Sequence, residues 1–442
     1  MNLTLAANTL RGLAMDGVQK ANSGHPGMPM GAADMAAVLF LKFMKHDPAH
    51  PEWPDRDRYV QSAGHGSMLL YSLLHLCGFD LTLEDLKSFR QWGSRTPGHP
   101  EHGLTPGVET TTGPLGQGCG NAVGMALAEA MLAARFNREG YPLVDHRTWV
   151  IAGDGDLMEG LSHEAFSLAG HLGLHKLTVL YDSNRITIEG STDLACSDDV
   201  RKRFEGYHWN ILETDGHDHA AIESALHAAR AEAQRPTLII CRTHIGKGSP
   251  HFQDSAECHG SPLGEDEVRA TKKALGMPED KTFYIPEDVR DLFAQRRKGW
   301  GAQKAAWDKL FAEYSRAHPA EAAEFKQFLA GEIPGDLAAR MPAFDPAKSI
   351  ATRQASGAVL QALAEVLPNL VGGSADLAPS TNTMLKKYPS VGPRHFDGRN
   401  LHFGIREHAM GAVLNGMALH GGWIVYGATF LVFSDYMKPA IR

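Results

Sequence analysis

A chain of 442 residues exceeds what one hydrophobic core usually fills, so two or three domains are expected. An apolar fraction of 43 % beside a charged fraction of 21 %, with no run near the roughly 18 apolar residues of a membrane span, describes a soluble globular chain and disfavours a membrane role. The formal charge of −8 argues against general nucleic-acid binding, which needs a basic face to displace counterions from phosphates.

At the N-terminus, Met1-Asn2-Leu3-Thr4-Leu5-Ala6-Ala7 lacks the basic stretch, apolar core and cleavage site of a secretion signal, and a cytoplasmic protein is expected. The first clear βαβ pattern runs over 148–181: a strand over 148–152, the turn Gly153-Asp154-Gly155, a helix to about 172 and a strand over 177–181. That pattern predicts an α/β fold with a parallel sheet covered by helices. A helix over 220–233, a strand over 237–241 and the loop Gly246-Lys247-Gly248-Ser249-Pro250 continue the same rhythm. From about 264 to 331 the pattern turns to helices with charged faces, among them 286–297 and 303–314. The segment Gly331-Glu332-Ile333-Pro334-Gly335, with Pro342 and Pro346, reads as a linker. A second α/β pattern opens near Ser349, with helices over 353–367 and 407–420 and strands at 370–371, 401–403 and 423–426. It ends at Arg442 in a helix that begins after Thr429, at about half the size of a usual α/β unit, so a cut domain is expected. Cys77, Cys119, Cys196, Cys241 and Cys258 are scattered and never form Cys-x-x-Cys, a usage that fits reduced core thiols rather than disulfides or a zinc site.

Chemistry concentrates at two strand ends. Asp154 follows one strand and Asn184, in Asp182-Ser183-Asn184, follows the next, thirty positions on, so both side chains project from one edge of the sheet. A carboxylate and an amide carbonyl are hard oxygen ligands suited to Mg²⁺ or Ca²⁺ on a diphosphate, and the helix after Gly155 offers free N–H groups to phosphate. Alone, Gly-Asp-Gly is more often just a tight turn; the strand-helix-strand context reverses that weighing. The 23 histidines are many, and several lie beside Gly or Pro in loops, where sites concentrate.

The span from Gly153 to Asn184 resembles the thiamine diphosphate motif. The loops Ser23-Gly24-His25-Pro26-Gly27, Gly64-His65-Gly66-Ser67, Thr96-Pro97-Gly98-His99-Pro100, Gly113-Pro114-Leu115-Gly116-Gln117-Gly118 and His259-Gly260-Ser261 resemble those of transketolases, in the same order. Gly372-Gly373-Ser374-Ala375-Asp376-Leu377 and Gly404-Ile405-Arg406-Glu407-His408 extend the resemblance over the whole chain. It implies a diphosphate-binding domain over 1–320, with a helical extension from about 264, a linker over 321–348 and a truncated pyrimidine-binding domain over 349–442. It also implies transfer of a two-carbon ketol unit between sugar phosphates of the pentose phosphate pathway. Thiamine diphosphate would be the cofactor, with Mg²⁺, or Ca²⁺ or Mn²⁺ in its place, on Asp154, Asn184 and the carbonyl of Ile186.

Further roles follow from the resemblance alone. His65, Gly113, Pro114, Leu115, Gly155, Asn184, His259 and Phe433 would contact the cofactor, Phe433 stacking on the pyrimidine. Glu407, which by itself also suits a helix start, would pair with the aminopyrimidine. His25, His99 and His259 would face substrate hydroxyls and move protons, Arg353 and Ser380 would hold the sugar phosphate, and Asp376 would be a further substrate contact. Arg353 alone also reads as a surface residue. The small residues over 121–128 suit core packing, and the resemblance implies a homodimer there with the cofactor shared between subunits. Rival readings are a dihydroxyacetone synthase or deoxyxylulose phosphate synthase, the latter poorly matched by the His25 and His99 loops, or an inactive cofactor-binding fragment. Ser183 stands where many relatives carry Asp. The relatives' further third, with another His, an Asp and a second phosphate-binding Arg, has no counterpart up to Arg442.

Overall fold

The computed structural model describes residues 2–442. Two compact units divide it, one from Met1–Cys119, His146–His163 and His175–Ala306, the other from Gly120–Asp145, Glu164–Leu174 and Trp307–Arg442.

The first unit is built on five parallel strands, β1 (Arg58–Gln61), β2 (Thr148–Gly153), β3 (Leu177–Ser183), β4 (Asn210–Asp215) and β5 (Thr237–Arg242), in the order β1-β2-β3-β5-β4. Every residue of β3 and all of β2 but Gly153 are buried, as continuous apolar strands under helices on both faces must be. Helices Leu3–Ala21, Gly27–Val38 and Ser67–Cys77 join Trp149, Ile151, Leu180 and Ile239 in one core. The Asn2 side chain accepts the Leu5 N–H at 3.0 Å and so caps the first of these helices. Trp149 donates Nε1–H to Asp57 Oδ2 at 3.0 Å, satisfying the one polar atom of a fully buried indole. The strand register pairs Gly153 with Asp182, and Asp182 with Cys241. The carboxyl ends of β2, β3 and β5 are therefore level, and residues just past them share an edge, where parallel sheets hold their ligands.

The second unit carries three parallel strands, β6 (Leu370–Ser374), β7 (Asn400–His402) and β8 (Ile424–Ala428), in the order β8-β6-β7, with helices Thr352–Val366, Glu407–His420 and Ser434–Ile441. Arg399 ties it together. Its guanidinium donates to the carbonyls of Ala364 at 2.9 Å and Leu367 at 2.7 Å, at the end of helix Thr352–Val366, and to that of Leu370 at 2.8 Å, at the start of β6. The small residues over 121–128 pack inside this unit: a Cβ on Gly124 would fall 2.0 Å from the Val413 carbonyl, so helices Gln117–Phe136 and Glu407–His420 meet backbone to backbone there.

Where two helices were expected over 286–297 and 303–314, one helix of 31 residues runs over Glu287–Ala317. The glycines at 299 and 301 suggest a break in the sequence, but between them Trp300 is fully buried and donates Nε1–H to the Met44 carbonyl at 3.1 Å, which anchors the helix. All five cysteines are unpaired and four are buried. Among the described residues no helix is long and apolar enough to cross a membrane.

Candidate active site

Asp154 opens the short helix Asp154–Met158 directly after β2 and is 9 % exposed. Its Oδ1 accepts from the Tyr181 hydroxyl at 2.5 Å and its Oδ2 from the Arg185 N–H at 3.1 Å. Burial raises its pKa, and those two hydrogen bonds work against the rise. Asn184, just past β3, donates Nδ2–H to Asp182 Oδ2 at 3.1 Å and accepts the Ile186 N–H on Oδ1 at 2.9 Å. Ile186 then enters a two-residue antiparallel ladder with Ser191. Asp154, Asn184 and Ile186 thus line one pocket of about 270 Å³ with Leu115, Gly155 and the imidazoles of His25, His65 and His259. Among the described residues no group of three or more His, Cys, Asp or Glu is arranged for a metal ion. A cation here would depend on a mixed carboxylate, amide and carbonyl set, which suits a hard ion.

Asp156 holds the pocket wall in place. Its Oδ1 accepts from the Ser62 hydroxyl at 2.7 Å and the Gly116 N–H at 2.9 Å, while Oδ2 accepts the Gly153 N–H at 3.0 Å. The loop bearing Gly113, Pro114 and Leu115 is thereby fastened to the end of β2. Leu115 reaches so close that a Cβ on Gly155 would lie 2.9 Å from its Cδ1, so position 155 takes no side chain without displacing that wall.

The histidine loops converge. Ring centroids lie 5.1 Å apart for His25 and His65, 5.2 Å for His65 and His259, 5.7 Å for His25 and His259, and 6.4 Å for His25 and His99. Burial, followed by the charges of neighbouring histidines, depresses His65 to about 3; burial, His259, Arg90 and His99 bring His25 to about 4. Burial lowers His99 and His259 as well. The cluster is uncharged at neutral pH, and the buried Nδ1 atoms of His25 and His259 have no protein partner among the described residues. An unpaired buried polar atom is costly unless a ligand or water meets it.

Residues 3–334 match the family model of the transketolase thiamine diphosphate binding domain, and 348–442 that of the transketolase pyrimidine binding domain. The chain belongs to the transketolase family. It is 54 % identical to the transketolases of Halalkalibacterium halodurans and Geobacillus stearothermophilus, over 99 % of its own length and 66 % of theirs. The transketolase of Leishmania mexicana superposes with a TM-score of 0.98 at 47 % identity, over 100 % of this chain and 66 % of that one. A Pichia stipitis transketolase in complex with sedoheptulose 7-phosphate gives 0.97 at 42 %, over 100 % and 67 %. This transketolase-family chain therefore spans about two thirds of the length of the curated relatives it matches.

Within its second unit, Glu407 is the first residue of helix Glu407–His420, 8 % exposed, with Oε1 accepting from the Thr429 hydroxyl at 3.1 Å. Phe433 is half-buried between Phe430 at 6.0 Å and Tyr436 at 5.9 Å. Arg353 and Ser380 are exposed on helices Thr352–Val366 and Ala378–Thr381, and Asp376 is exposed with φ 63°. In the first unit, sequence reasoning did not single out Tyr181, Asp156, Ser62 or Thr243, and gave Asp182 no role. Thr243 Oγ1 donates to Asp182 Oδ1. Burial pushes Asp182 up to about 7. The adjacency of Tyr181 and Asp182 to the recognised Asn184 was the only available signal for either.

Proposed function

We propose that the protein transfers a two-carbon ketol unit from a ketose phosphate, xylulose 5-phosphate or sedoheptulose 7-phosphate, to an aldose phosphate, ribose 5-phosphate or glyceraldehyde 3-phosphate, in the pentose phosphate pathway. The observation that carries this reading is one pocket in which Asp154, Asn184 and Ile186 meet a ring of uncharged imidazoles. Bound thiamine diphosphate supplies a carbon nucleophile and an electron sink. A divalent cation, Mg²⁺ by the hardness of the donors, would sit on Asp154, Asn184 and the Ile186 carbonyl and neutralise the diphosphate. Gly155, kept bare beneath Leu115, would leave room for the cofactor, and His65 and His259 would meet its phosphates. Neutral His25, His99 and His259 would give and accept hydrogen bonds with sugar hydroxyls. Their buried, unpaired Nδ1 atoms at positions 25 and 259 support that role. Glu407 would engage the aminopyrimidine, Phe433 would stack on it, Arg353 and Ser380 would hold the phosphate of the substrate, and Asp376 would contact the substrate elsewhere.

The reading carries with it a homodimer and a domain division of 1–320, 321–348 and 349–442; the second family match, which begins at 348, supports the later boundary, while the first runs to 334 and helix Pro319–Ala330 occupies the start of the expected linker. Five unpaired cysteines suit a reducing compartment such as the cytoplasm. The test is calorimetric titration with thiamine diphosphate and Mg²⁺, beside transfer from xylulose 5-phosphate to ribose 5-phosphate by the whole protein. Saturable, Mg²⁺-dependent binding that Asp154→Ala abolishes is the expected result. Equal affinity in the variant removes the metal assignment, and absence of transfer removes the activity.

A further inference from the structure

At the end of β3, two consecutive residues turn to opposite faces of the sheet, as strand geometry requires. Tyr181 and Asp182 are 5 % and 0 % exposed. Each spends its polar group on one of the two side chains assigned above to the cation. The Tyr181 hydroxyl, 2.5 Å from Asp154 Oδ1, fixes one carboxylate oxygen. The Arg185 N–H, turned inward by a left-handed φ of 61°, fixes the other at 3.1 Å. Each oxygen keeps a second lone pair, so the carboxylate is held without being used up.

Asp182 acts on Asn184 in a different way. A terminal amide presents an oxygen or an NH₂ with little difference in shape, and only the oxygen can bind a cation. Asp182 Oδ2 takes the Nδ2–H of Asn184 at 3.1 Å, while its other oxygen is occupied by the Thr243 hydroxyl. The amide oxygen is thereby turned the opposite way, where it meets the Ile186 N–H at 2.9 Å beside the third proposed ligand. We propose that Tyr181 and Asp182 are positioning residues, which hold the carboxylate of Asp154 and the amide of Asn184 in the orientation a divalent cation requires. The proposal rests on the metal reading given under Proposed function. Groups of this kind set metal affinity without touching the metal.

Mn²⁺ is the probe, titrated in the presence of thiamine diphosphate and followed by the electron paramagnetic resonance signal of the free ion, with the unfolding temperature of the metal-free protein measured alongside. Tyr181→Phe keeps the ring and Asp182→Leu keeps the bulk, and both are expected to weaken Mn²⁺ binding about 10-fold or more. Asp182→Asn retains an acceptor for Asn184 and an NH₂ for Thr243, and is expected to stay within about 3-fold of the unsubstituted protein; a mere packing role would instead leave Asp182→Leu, which keeps the bulk, equally unaffected. Tyr181→Phe takes one donor from the buried Asp154 carboxylate and should lower the unfolding temperature of the metal-free protein only slightly, so the protein stays folded throughout the titration. If Tyr181→Phe and Asp182→Leu bind Mn²⁺ as the unsubstituted protein does while Asp154→Ala does not, the positioning role is overturned and the metal site stands. If Asp182→Leu fails to fold, unchanged affinity in Tyr181→Phe is enough to overturn it. Binding that survives Asp154→Ala, or no binding by the unsubstituted protein, sinks the metal reading and this proposal with it.

Discussion

His46 is a fully buried imidazole that the proposed chemistry does not use. It lies 4.1 Å from the Trp300 ring centroid and stacks on Phe79 at 5.8 Å, and neither ring nitrogen has a hydrogen-bond partner among the described residues. Burial first, then the positive charge of Arg296, brings its pKa to about 3, with Asp47 opposing. The sign of the linkage is fixed by that depression. Below the ordinary value of about 6.5 the unfolded chain takes a proton that the folded chain refuses until about 3. The contribution to stability is whole above 6.5 and is lost progressively as pH falls through that window, at up to about 1.4 kcal/mol per pH unit for one proton. His46→Phe removes the titration, and the adjoining cavity of about 30 Å³ can take part of the added bulk. Urea unfolding at pH 7.5 and at pH 5 should show the variant losing less stability than the parent between those values. Identical losses would mean that His46 does not titrate in this range.

Helix Glu287–Ala317 shows how an element can be stronger than its composition. Gly301 sits in its interior, and a Cβ added there would meet nothing within 4 Å. Glycine in a helix costs about 0.5–1 kcal/mol relative to alanine. Gly301→Ala should therefore raise the unfolding temperature by about 1 °C, a change read by calorimetry; a lower value would show that the backbone at 301 is not relaxed helix. That helix was legible in part, because its charged faces follow the helical period, but its continuity depends on the distant Met44 carbonyl that receives Trp300. The same contrast runs through the sheet. β2 and β3 were legible as unbroken apolar runs ending in Gly153-Asp154-Gly155 and Asp182-Ser183-Asn184. β1, with only Tyr59-Val60 between Arg58 and Gln61, and β4, half-exposed at the sheet edge, carry too little apolar pattern to stand out. In the site, the motif histidines and the Asp154 and Asn184 pair could be read because each sits in a short local pattern. The parts played by Tyr181, Asp182 and Thr243 could not, since they arise from the register of β2, β3 and β5. Asp156 and Ser62, 94 positions apart, are joined only by the fold.

At the scale of the whole molecule, the charge of −8 and the scattered apolar surface are ordinary, with one exception in the second unit. Leu431 is 89 % exposed, Val432 66 % and Tyr436 67 %, with Phe430 and Ile441 exposed beside them in sequence. Isolated apolar residues on a surface need no explanation, but a run of this kind within twelve positions marks a face that water does not favour. A second copy of the chain is the occupant that the proposed homodimer supplies. Sedimentation velocity across the micromolar range should then give a dimer, and Leu431→Glu, which places a carboxylate in an apolar contact, should shift the population toward monomer. A charge left without a partner in such a contact costs far more than the lost leucine packing alone. With Leu431 89 % exposed, the substitution should leave the fold of its own unit intact, so far-ultraviolet circular dichroism of the variant should match that of the parent. A parent that sediments as a monomer at every concentration, or a variant that stays dimeric, would show that this face is not where the copies meet.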